Sequence, residues 1–62
     1  MHSLNAKVKR IATLVDTTDL SEWANGFVKN IVERTDEGRD VSMLTEKQID
    51  VIDRIFSQHF GD

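Results

Sequence analysis

The stretch Leu44-Thr45-Glu46-Lys47-Gln48-Ile49 constrains the fold more than any other part of this chain. Thr45 is a helix N-cap residue, and Gln48 three positions on can reach back to the cap's own backbone N–H, closing a capping box. Leu44 before the cap and Ile49 in the first turn have the spacing of a hydrophobic staple. A helix therefore starts at residue 46. Ile49, Ile52, Ile55, Phe56 and Phe60 give it one continuous apolar face to residue 60, with His59 at the edge and Gly61 as a stop.

Two further segments carry the same period. Leu4, Val8, Ile11 and Val15 fall at i, i+4, i+7 and i+11, which predicts a helix over 3–15 with Ser3 as its cap. Ala12 widens that stripe. Asp16-Thr17-Thr18-Asp19 reads as a turn, because short polar side chains compete for backbone hydrogen bonds. A second helix is expected over 20–37, starting near Asp19 or Ser21, with Glu22 placed to complete a box with Asp19. Trp23, Phe27 and Ile31 recur every four residues, flanked by Ala24, Val28 and Val32. Gly26 inside this pattern costs about 1 kcal/mol relative to alanine. A close approach of another helix is the plainest reason for it. Gly38 suits a left-handed helix end. The link 39–44 carries Val41, Met43 and Leu44 and is expected to pack over one end of the core.

Proline is absent and no strand-like alternation occurs. The expectation is an all-α, single-domain bundle of three helices spanning residues 1–62. Sixty-two residues bury only about 60% of their unfolded surface, so the stability margin is thin.

Composition narrows the function. Without cysteine there are no disulfides and no thiolate metal sites, which fits a reducing compartment. His2 and His59 are far apart and lack the spacing of a zinc site. No cofactor is expected. Asp36, Glu37 and Asp40 around Gly38 miss the ligand spacing of a calcium loop. No apolar run approaches a membrane span or a signal-peptide core, so the expected setting is cytoplasmic, the host cytoplasm if the protein is viral.

Charge is segregated. Residues 1–15 carry Lys7, Lys9 and Arg10 and no acid, while the remainder carries five bases and eleven acids, for a net charge of −3. Glu46, Asp50 and Asp53 line one side of the third helix, an acidic stripe that reads as a solvated face, as a docking surface for a basic partner, or as a general acid/base pair, for which a domain of this size has little room to build the pocket. Arg54 is placed to pair with Asp50. Lys7, Lys9 and Arg10 are the candidate phosphate contacts, although no stacking aromatics accompany them. An acidic third helix suits a helix-turn-helix reader poorly. Trp23 reads first as core, given its register with Phe27 and Ile31. It also reads as an interface anchor, and both hold if one ring edge is exposed. His59 suits the negative end of the helix dipole, and no serine is paired with it for nucleophilic catalysis.

Leu20, Trp23, Phe27, Ile31, Gly38, the run Leu44-Thr45-Glu46-Lys47-Gln48, Ile52 and Ile55 together resemble a short helical module over residues 20–55. The module occurs in small phage-encoded proteins and in tails of phage or bacterial proteins of DNA metabolism, such as helicases and primases. The resemblance implies an accessory or adaptor role near nucleic-acid machinery and brings no catalytic residues. The expected function is a non-enzymatic module that binds a protein partner through Glu46, Asp50, Asp53 and Trp23. The alternatives are a nucleic-acid accessory protein using Lys7, Lys9 and Arg10, and a homo-oligomeric structural protein.

Overall fold

A computed structural model of the chain describes residues 3–61, and what was expected of His2 lies outside them. Three helices make up the fold, α1 over Leu4–Ala12, α2 over Glu22–Arg34 and α3 over Glu46–Phe60. The expected all-α bundle is what forms. It is small, with a radius of gyration of 10.3 Å.

Each helix begins on a hydroxyl cap. The Ser3, Ser21 and Thr45 side chains accept from the backbone N–H groups of Ala6, Ala24 and Gln48. At Thr45 the box is reciprocal, because its own N–H donates to Gln48 Oε1 at 2.9 Å. The start of α2 falls at Ser21, not Asp19: the serine hydroxyl stands three residues before the N–H it satisfies.

Two helices end earlier than their apolar periodicity suggests, and in each a threonine marks the stop. Thr13 donates its hydroxyl to the Arg10 carbonyl at 2.6 Å, and tight turns through Leu14 and Val15 replace the last expected turn of α1. Thr35 closes α2. Its buried hydroxyl shares the Ile31 carbonyl with the Thr35 N–H and accepts from the Gly38 N–H, which a longer helix would have turned to the Arg34 carbonyl. Asp36, Glu37 and Gly38 then all adopt positive φ, at 51°, 61° and 89°. Gly38 therefore lies four residues beyond the end of the helix. Its place is fixed by α1, since a Cβ there would sit 3.2 Å from the Asn5 carbonyl oxygen and 3.1 Å from Lys9 Cγ. The Asn5 amide secures that docking by donating to the Gly38 and Arg39 carbonyls at 2.8 and 3.2 Å.

Val8 and Ile11 of α1, Val28 and Ile31 of α2, and Ile52, Ile55 and Phe56 of α3 form the core with Leu20 from the first connection. The helix α1 packs on both others, while α2 and α3 touch each other far less. The shortest helix is thus the shared wall of the bundle, and its stripe is buried on two sides. Leu4, Val15, Val41 and Leu44 pack partly against this core.

Three expectations about packing are corrected. Trp23 is not core: 67% of it is exposed. Met43 points away from the core that Val41 and Leu44 help to cover. Gly26 lies under no other helix of the chain, because a Cβ placed there would meet nothing within 4 Å.

Candidate functional site

The fold brings two charged surfaces together. Lys7 of α1 reaches Asp53 of α3 with its ammonium 2.7 Å from Oδ1. The same ammonium stands 5.6 Å from the centre of the Phe56 ring, and Arg10, one turn further, lies 6.0 Å from that of Phe60. Phe56 and Phe60 pack on each other at 5.4 Å. The seam advances along both helices in the same direction, cation against ring. Lys9 leaves it, lying instead beside Gly38 and lining an open hollow of about 490 Å³ with Ala12, Val32, Glu37 and Arg39. The three cations Lys7, Lys9 and Arg10 therefore do not present one continuous basic surface.

The acidic stripe is also partly engaged. Asp53 holds Lys7, and Asp50 pairs with Arg54 at 3.2 Å across one helical turn, as the spacing predicts. Glu46 has no ion-pair partner among the described residues. His59 is exposed in the last turn of α3. Among the described residues no cluster of histidine and carboxylate side chains is arranged to hold a metal ion.

Two aspartates in connections are lowered from the ordinary carboxylate value. Asp16 is lowered first by its hydrogen bond with Lys29, at 2.8 Å, and then by Asn25. Its own N–H donates to Asn25 Oδ1 at 2.7 Å while the Asn25 amide donates back to its carboxylate. This clasp holds the left-handed residue Asp16 (φ 62°) against α2. Asp40 is lowered by the hydroxyl and backbone N–H of Ser42.

The remaining surface of note is the outer face of α2. Trp23 lies flat on Phe27, ring centres 5.5 Å apart and planes within 10°. Phe27 is half-buried against the core, so it anchors an indole that is otherwise in solvent. Gly26 and Asn30 complete this face at i+3 and i+7 from Trp23 and are exposed, with Arg34 one turn beyond donating to Asn30 Oδ1 at 2.9 Å. Glu22 and Lys29 flank it, also exposed. Sequence reasoning singled out Trp23 but not Asn30, Arg34 or the exposed side of Gly26, although their spacing from Trp23 was available.

An exposed tryptophan stacked on a ring rooted in the core has little orientational freedom left to lose on binding, and tryptophan is prominent among residues that carry interface energy. Among the described residues no helix is long and apolar enough to cross a membrane. Comparison of the chain with family models, with curated proteins and with solved structures finds no match.

Proposed function

We propose that this chain is a non-enzymatic interaction module that docks on protein through the outer face of α2, with Trp23 as the anchor. The observation that carries the reading is the 67% exposure of a tryptophan whose ring is nonetheless held flat on Phe27. A bundle with a thin stability margin gains nothing from leaving its largest apolar side chain in water, whereas a partner that covers it gains most of that burial. The acidic stripe has a lesser part. With Asp53 and Asp50 engaged inside the chain, Glu46 is left to steer a basic partner and not to anchor it.

An accessory or adaptor role beside nucleic-acid-processing machinery is what the resemblance read in residues 20–55 would imply, and it belongs to this proposal alone. Direct nucleic-acid binding is not preferred, because Lys7 and Arg10 turn toward α3 while Lys9 turns toward the 35–40 turn.

The test compares capture of partner proteins by the wild-type chain, Trp23→Ala and Glu46→Lys, each checked for native helicity. Trp23→Ala should weaken capture by about tenfold or more, in the range of an interface hot spot, and Glu46→Lys should alter chiefly the association rate. Equal capture by Trp23→Ala and wild type would remove this face from the account.

A further inference from the structure

The outer face of α2 has a property beyond exposure: it complements itself. We infer that its occupant is a second copy of this chain, with the two α2 helices crossing antiparallel at Gly26. The inference rests on the reading of this face as a protein-docking surface and names the partner.

Gly26 supplies the first argument. Glycine inside a helix is unfavourable, and nothing in the chain uses the space, since a Cβ would meet no atom within 4 Å. What the missing side chain does provide is bare backbone at the middle of an exposed helix face, where another helix can come close.

The register of the neighbours supplies the second. Trp23 and Asn30 are seven residues apart, so they share one flank of the face, three residues before Gly26 and four after it. Glu22 and Lys29 are also seven apart and share the other flank, four before and three after. An antiparallel crossing at Gly26 sets Trp23 of each copy against the partner's Asn30, and Glu22 of each copy against the partner's Lys29. Both pairs occur twice, as a two-fold interface requires. A parallel crossing would instead bring opposite flanks together, setting Glu22 against the partner's Trp23 and Lys29 against the partner's Asn30, so that the charges would not pair. Glu22 has no ion pair among the described residues, and Lys29 makes a single one, to Asp16, with about half of its side chain exposed. The helix dipoles also oppose in the antiparallel arrangement.

A face built on one 13-residue helix is small, so the pairing is weak and depends on concentration and salt. Sedimentation equilibrium from about 10 μM to about 1 mM reads it directly, over the range where such small interfaces associate. The wild-type chain should pass from monomer to dimer, and the emission of Trp23, its only tryptophan, should shift to the blue in step. Gly26→Leu fills space that is empty in the monomer, so it should keep the fold while weakening association about tenfold or more. Glu22→Lys should weaken it as well, and the loss should shrink as salt rises. A wild-type chain that stays monomeric throughout overturns the pairing, as does a Gly26→Leu variant that dimerises as tightly as wild type. Neither result touches the docking reading itself, which is tested separately by the exposure of Trp23 in the monomer and by the effect of Trp23→Ala on capture.

Discussion

Lys7 and Asp53 stand 46 positions apart in the chain and 2.7 Å apart in the fold. They are the meeting point of the basic amino-terminal segment and the acidic third helix. Two patches of opposite sign that look like separate binding surfaces in the sequence are, at this point, one intramolecular contact. The Lys7 side chain is one-quarter exposed and its ammonium stands over the Phe56 ring, so the pair is better shielded than an ordinary surface pair.

That contact should show in a double-mutant cycle. With Lys7→Met and Asp53→Asn, urea unfolding is expected to give a coupling of about 0.5–1 kcal/mol, discounted for the half-exposed carboxylate. Zero coupling would mean that the pair is only a geometric coincidence of two mobile side chains.

Gly26→Ala should stabilise the isolated chain by about 0.5–1 kcal/mol, because alanine restores helix propensity and meets no neighbour. In a domain of this size that is a rise of several degrees in Tm, measurable by circular dichroism. A loss of stability would show that the face is covered within the chain after all.

The turn after α2 should respond in opposite ways at adjacent positions. Glu37→Gly relieves a left-handed glutamate at about 1 kcal/mol, offset in part by the greater freedom of glycine in the unfolded chain, for a net gain of about 0.5 kcal/mol. Gly38→Ala meets both a positive φ and the Asn5 carbonyl, and should cost more than about 1 kcal/mol. Thermal melts of the two variants should move to opposite sides of wild type.

Acid should weaken the fold through Asp16 and Asp40. Both are lowered in the folded chain, so the native state favours their charged forms more than the unfolded state does. Their stabilisation is full above the unfolded carboxylate value of about 3.9 and is lost as pH falls through the lower native values. Asp16→Asn should flatten the acid limb of a stability–pH profile, and an unchanged limb would sever it from the Lys29 and Asn25 contacts.

Much of the architecture was legible because its signals are local. Ser3, Ser21 and Thr45 write helix starts in hydroxyls that need only the next turn, and the span of α3 follows from its cap and apolar face alone. Trp23 was misread for a geometric reason. Steps of four residues advance about 40° beyond a full turn, so Trp23, Phe27 and Ile31 wind progressively into the core instead of lining it. Only Ile31 arrives there fully, beside Val28. The ends of α1 and α2 are not marked in the periodicity, because the Thr13 hydroxyl takes the Arg10 carbonyl and the Thr35 hydroxyl takes the Gly38 N–H, both of which a continuing helix would use. The pairing of Lys7 with Asp53 depends on how α1 lies against α3, which no single segment encodes. The outer face of α2, by contrast, is present in the spacing of Trp23, Gly26 and Asn30, but an apolar period of four marks an outward face and a buried one alike.

The most direct measurement is acrylamide quenching of Trp23 emission in the dilute, folded chain. An indole standing in solvent on the outer face of α2 should be quenched nearly as readily as in the urea-unfolded chain, while helicity stays native. A Trp23 shielded from acrylamide in the dilute monomer would put the ring back in the core and contradict both the docking face and the pairing built on it.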